Sequence, residues 1–243
     1  MGTDIHMIVE VRDSTASPWV ATTGPSLMAK LANRGEIPVG MDKYVTEESF
    51  TWIYHDRNYQ LFAMLADVRN GVGFAGIKTG ERLNPITPER GIPVDYADNA
   101  KATYEDALGI AALSEDNMSW LGEHSFSWLK YEELIDPGYW DQVATLCGVV
   151  PLGDFDKLGG NPPSSWCGSV HGPNIETVDE KVALSATFRM NLDPVARYHV
   201  RMSWEQPYRE CAGRFYAETI PQLATLSSQY GAGNVRIVFG FDS

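Results

Sequence analysis

Cysteine, lysine and long apolar runs are all scarce in this sequence, and each scarcity excludes a class of protein. The three cysteines, Cys147, Cys167 and Cys211, are far apart and form no C-x-x-C pair. That argues against a zinc site or a redox couple and leaves free thiols in a reducing compartment, hence a cytoplasmic protein. No apolar run approaches the roughly 18 residues that span a bilayer. The first segment alternates polar and apolar residues where a signal peptide would be continuously apolar. Seven lysines and twelve arginines face a net charge of −13 with no basic stretch, so a general nucleic-acid binder is disfavoured. H-E-x-x-H, metal-loop and nucleophile-elbow motifs are missing, and the five histidines lack ligand spacing. Neither a metal nor a cofactor is expected.

What is present is enough apolar material for a core, 44% of 243 residues, and a clear strand pattern. Four segments alternate with the period of half-buried strands. Ile5, Met7, Val9 and Val11 share one side of the first. Val182, Leu184, Ala186, Phe188 and Met190 share one side of the second. Val200, Met202 and Trp204 mark the third, and Val235, Ile237, Phe239 and Phe241 the fourth. Asn191-Leu192-Asp193-Pro194 reads as the turn of a hairpin between the second and third. A helical stretch from Tyr208 to Tyr230 ends at Gly231, with Pro221 kinking it or starting a second piece. Another helix is expected over Arg57 to Arg69 with Asp56 as N-cap, and shorter ones over Lys130 to Ile135 and Tyr139 to Cys147. The pattern predicts a single α+β domain over 1–243: a mixed, largely antiparallel sheet with helices on one face. Long Gly/Pro-rich loops are expected at about 71–99 and 151–173.

Three groups of residues are candidates for chemistry. If the four strands are neighbours, Arg12, Arg189, Arg201 and Arg236 share the polar sheet face with His6, His199, Glu10 and Glu205. The arginine fork suits bidentate binding of phosphate or carboxylate. The same residues also suit a solvated face laced with cross-strand ion pairs. The second group is the helix start Tyr54-His55-Asp56-Arg57-Asn58-Tyr59, where Arg57 and Asn58 could hold an anion and Tyr59 stack on a base. Ordinary capping accounts for the same residues. The third is Asp4, His6 and His124, as a metal site or an acid–base set, against hydrogen-bonded structural histidines.

Several stretches also carry a resemblance. Gly2-Thr3-Asp4-Ile5-His6, Asp56-Arg57-Asn58-Tyr59 leading into Leu65-Ala66-Asp67-Val68-Arg69-Asn70-Gly71, and Val235-Arg236-Ile237-Val238-Phe239-Gly240-Phe241-Asp242 are its main parts. Gly73-Phe74-Ala75-Gly76-Ile77-Lys78-Thr79-Gly80 and His124-Ser125-Phe126-Ser127-Trp128-Leu129 belong with them. Together these resemble a group of uncharacterised proteins encoded by tailed phages and prophages. The resemblance implies a phage origin and brings no reaction with it. The expectation is a phage accessory protein of the infected cell that binds a small anionic ligand, a nucleotide or a nucleotide-derived defence signal, and sequesters it. The rivals are a metal-dependent or acid–base hydrolase of nucleotides and phosphodiesters, and a host-protein inhibitor or minor virion protein. A membrane partner is not expected, and homo-oligomerisation is left open.

Overall fold

The computed structural model describes residues 2–24, 49–50, 53–54, 56–100 and 121–242. Its first sheet is built around the C-terminal strand, β9 (Val235–Asp242), which is flanked by antiparallel β1 (Asp4–Val11) and β5 (His124–Lys130). The short β2 (Val20–Ala21) pairs with the outer edge of β1. A second sheet places β8 (Arg197–Pro207) between antiparallel β6 (Val143–Pro151) and parallel β7 (Ile175–Asp179). Two short strands, β3 (Thr23–Gly24) and β4 (Ser49–Phe50), pair separately. The helices are α1 (Tyr59–Ala66), α2 (Tyr131–Leu134), α3 (Pro137–Trp140), α4 (Leu152–Leu158), α5 (Glu180–Ala183), α6 (Ala186–Met190), α7 (Tyr208–Ala212) and α8 (Ile220–Tyr230). A π-helical turn, Phe215–Thr219, joins α7 to α8. The fold is thus α+β with mainly antiparallel sheets.

Strand periodicity located β1, β8 and β9, and the residues assigned inward on each are buried. These strands do not, however, share one sheet, because β8 belongs to the second. The expected strand over 182–190 is instead α5 and α6. Ser185 caps α6 by accepting the Phe188 N–H at 3.2 Å, and the apolar side chains of Val182, Leu184 and Met190 are largely exposed. With β7 occupying the edge of β8, the Asn191–Pro194 turn closes no hairpin. The predicted helix over Tyr139–Cys147 resolves into the end of α3 and the start of β6, where Ala144 and Leu146 are buried, and the strand continues through the β-branched Val149-Val150. The Tyr208–Tyr230 stretch is largely helical as expected, with Pro221 at the second position of α8, directly after the π-helical turn.

One face of the first sheet packs on α1, α7, α8 and the inward side of the second sheet in a single apolar cluster. The other face was expected to be polar, either solvated and laced with ion pairs or binding an anion. It is neither, but is covered by chain: Ile8 and Val238 lie in an apolar cluster with Trp19, Tyr96, Ala97, Ala100 and Leu121. Glu10 and Arg236 are consequently sealed inside, 0% and 3% exposed. Arg236 Nε donates to Glu10 Oε2 at 2.6 Å, and its Nη1 and Nη2 donate to the Asp95 carboxylate and carbonyl at 2.7 and 3.0 Å. Glu10 Oε1 accepts the Ala97 N–H at 2.8 Å. The guanidinium lies 4.1 Å from the Trp19 ring centroid and 5.6 Å from that of Trp128. A buried ion pair survives only when its remaining hydrogen-bond capacity is filled, as it is here. Arg236→Ala, which strands Glu10 without its partner, should therefore lower unfolding stability by about 3–5 kcal/mol. Arg201→Ala on the half-buried face of β8 should change it by no more than about 0.5 kcal/mol. Urea titration of the two variants against wild type measures the contrast.

Candidate functional site

The four arginines proposed as a sheet-face cradle are not brought together. Arg236 is enclosed as described. Arg12 donates to Asn234 Oδ1 at 3.0 Å and stacks 4.4 Å above Trp19. Arg189 lies on α6 in a bidentate pair with Asp156, at 2.8 and 2.5 Å, and Arg201 lies on the second sheet. His199, also on β8, contacts the Arg197 carbonyl at 3.2 Å. The cluster depended on a one-sheet arrangement, and the second sheet dissolves it.

Asp4, His6 and His124 are also divided. Asp4 and His6 lie at the open end of β1, opposite Asp242 and Gly240 of β9. His6 Nε2 is 3.0 Å from Asp242 Oδ2, and Asp4 accepts two hydrogen bonds from Arg57, at 2.8 and 2.5 Å. His124 pairs with Phe241 and stacks on its ring, so the strand alternation puts it on the opposite face from His6. Among the described residues, no three His, Cys, Asp or Glu side chains gather closely enough to hold a metal ion.

The helix-start residues fare differently, for they line a cleft of about 730 Å³. His55 lies outside the described residues. The N-cap of α1 is Asn58, not Asp56: its Oδ1 accepts the Leu61 N–H at 3.0 Å. Asn58 stands three residues before Leu61, where the buried run begins, and its Nδ2 also donates to the Cys211 carbonyl at 2.8 Å, tying α1 to α7. Asp56 is thereby freed to face Arg214, whose Nη1 lies 3.1 Å from its carboxylate. Tyr59 presents a half-buried ring whose hydroxyl accepts the Thr3 N–H at 3.5 Å.

Much of the rest of the cleft comes from the two long Gly/Pro-rich stretches, 71–99 and 151–173, in which the sequence marked no individual residue. Phe74 and Ile77 sit on a tight turn after α1, and this turn docks on β6 where Gly80 bridges Leu146. A Cβ at Gly80 would lie 2.6 Å from the Thr145 carbonyl oxygen, which only glycine avoids. Trp166, Cys167 and Ser169 come from the segment after α4, held to β6 by the Val149–Cys167 bridge. Arg214 stands at the entrance to the π-helical turn, a rare conformation that recurs at functional sites. The wall therefore combines aromatic rings (Tyr54, Tyr59, Phe74, Trp166) with the guanidiniums of Arg57 and Arg214, 51% and 64% exposed.

Comparisons with protein-family models, with curated proteins and with solved structures found nothing that matches this chain. The site therefore rests on geometry.

Two expectations test that geometry. Cys167 is exposed in the cleft, whereas burial pushes the Cys211 thiol up to about 12. Maleimide at neutral pH should modify Cys167 in the native protein and Cys211 only after unfolding, as read by peptide mass spectrometry. The Arg57 hydrogen bonds hold the Asp4 carboxyl below its ordinary value of 3.8, with burial opposing. A depressed folded value means that the contribution is complete above 3.8 and is lost as pH falls through the lower folded value. The melting-point difference between wild type and Asp4→Asn should thus be constant above about pH 5 and shrink in acid.

Proposed function

We propose that the protein binds a small anionic, ring-bearing ligand, a nucleotide or nucleotide-derived signal, in the cleft between α1, α7 and the Trp166 segment. One observation carries this reading: four aromatic rings and two half-exposed guanidiniums line a single concavity of about 730 Å³, a size in the usual range for small-molecule sites. Tyr59, Phe74 and Trp166 offer stacking surfaces for a base, while Tyr54 is packed into the core against Phe215. Arg57 and Arg214 are already paired with Asp4 and with Asp56 and Glu218. Each keeps further N–H donors for an incoming anion, and its carboxylate partner holds the fork in place beforehand. Binding thus adds to an existing network, which favours selectivity over raw electrostatic attraction on an acidic protein.

The resemblance to tailed-phage proteins supports the biological side of the proposal, in which the bound signal belongs to the infected cell and is withheld from its receptor. Sequestration requires release of the ligand unchanged, so denaturing the protein after incubation and identifying the ligand by mass spectrometry separates it from turnover. Calorimetric titration with mononucleotides, cyclic nucleotides and dinucleotides should identify at least one binder. Arg57→Ala should weaken that ligand roughly ten- to hundredfold, the range for a lost hydrogen bond to a charged group. Trp166→Ala should cost about 1–3 kcal/mol of binding, as for base stacking. Failure of wild type to bind any of the panel would remove the nucleotide reading.

A further inference from the structure

A second cleft, of about 520 Å³, opens at the other end of α1, lined by Thr3, Asp67, Arg69, Glu89, His124 and Ser125. The two lie at opposite ends of α1, and Tyr59 of the first touches Thr3 and Arg69 of the second, but Ser125 and His124 line the second alone. Three of the five non-glycine residues with positive φ among those described line it: Asp67 at 60°, Arg69 at 55° and Ser125 at 54°. Asp67 is explained, because it is the left-handed C-cap of α1, and Arg69 lies in the turn that follows. Ser125 is not explained. It sits inside strand β5, where the pairing with β9 shifts register between His124 and Ser127. A bulge residue in the left-handed region is ordinarily glycine, and serine there costs free energy that glycine would save.

The serine oxygen has a partner. Ser125 Oγ lies 3.1 Å from His124 Nδ1, and the His124 ring stacks on the buried Phe241 ring at 6.1 Å and 23°. Arg69 contributes a cation to the wall, its Nε donating to the buried Thr3 hydroxyl at 3.0 Å. Asp67 is occupied by Arg82, at 2.7 and 2.5 Å. A hydroxyl on strained backbone, bonded to an oriented imidazole, in a concavity with a positive charge, meets the first geometric requirements of a nucleophilic hydrolase.

We propose that Ser125 and His124 form a nucleophile and base that hydrolyse small carboxylic esters in this cleft. Ser125 Oγ adds to the ester carbonyl while its proton passes to His124 Nδ1. Collapse of the tetrahedral adduct breaks the bond to the alkoxy oxygen, which takes that proton and leaves as the alcohol. Water then attacks the acyl-serine, giving its proton to His124. Release of the carboxylic acid restores the Ser125 hydroxyl with that proton, so ester and water become acid and alcohol. The Arg69 charge favours the negative carbonyl oxygen of both adducts.

The test is covalent labelling of the full chain with a fluorophosphonate, located by peptide mass spectrometry, alongside turnover of p-nitrophenyl acetate. We expect one label per chain on Ser125 and none on the buried Ser127. Both label and turnover should vanish in Ser125→Gly, and both rates should fall by about a hundredfold or more in His124→Phe, which keeps the stacked ring. Circular dichroism checks that each variant is folded. Ser125→Gly should melt at or above the wild-type temperature, because glycine relieves the left-handed backbone. The proposal is overturned if native protein labels no faster than urea-unfolded protein, if the label sits elsewhere, or if His124→Phe labels at the wild-type rate. It is equally overturned if Ser125→Gly melts lower, which would make the serine a stabilising residue.

Discussion

The enclosed Arg236–Glu10 pair is the interaction on which the architecture turns. β9 is an interior strand of its sheet and is buried on both sides, so an arginine on it must either reach water or find a full set of partners. It finds them in Glu10 on the neighbouring strand and in Asp95 on the roof, between the rings of Trp19 and Trp128. Removing those charges from water costs several kcal/mol per ion unless the geometry is complete. The pair therefore specifies which loop covers the sheet and where.

Helix α1 then organises both clefts. Its N-terminal end carries Arg57, Asn58 and Tyr59, and Asn58 does two jobs at once, capping α1 and holding the Cys211 carbonyl. The left-handed turn at its C-terminal end carries Asp67 and Arg69 toward the bulge of β5. All eight residues between are at least half-buried, and Leu61–Ala66 are buried outright. The helix is thus a buried spacer that holds Arg57 and Asn58 at one end and Asp67 and Arg69 at the other, with the Tyr59 ring reaching Thr3 and Arg69 along its side.

Much of the fold was legible in the sequence, because burial on one face imposes a period of two on a strand irrespective of its partners. β1, β8 and β9 could be read this way, and Pro221 and Gly231 marked the start and end of α8. The same period misled over 182–190, where short helices leave Val182, Leu184 and Met190 in solvent. Alternation is evidence for a strand only if the alternating side chains are in fact buried. β6 was misread for the converse reason: its buried Ala144 and Leu146 stand next to Tyr139 and Trp140, and together they resemble a helix face. Of the candidate residues, Arg57, Asn58 and Tyr59 could be located because capping chemistry is local. Arg214, Phe74 and Trp166 could not, since each joins the cleft through contacts remote in sequence.

By itself the sequence determined an acidic α+β chain with three identifiable strands and a helix start rich in polar and aromatic residues, because composition and periodicity are properties of neighbouring residues. Tertiary structure alone decided that β8 would leave the first sheet, that Arg236 would be buried while Arg201 stays half-exposed, and that Ser125 would meet His124 on a strained bulge. Strand pairing, burial of a charge and backbone strain each depend on which distant segment arrives alongside. Residues that are alike in type and local pattern, such as Arg201 and Arg236, acquire opposite roles only when that segment is in place.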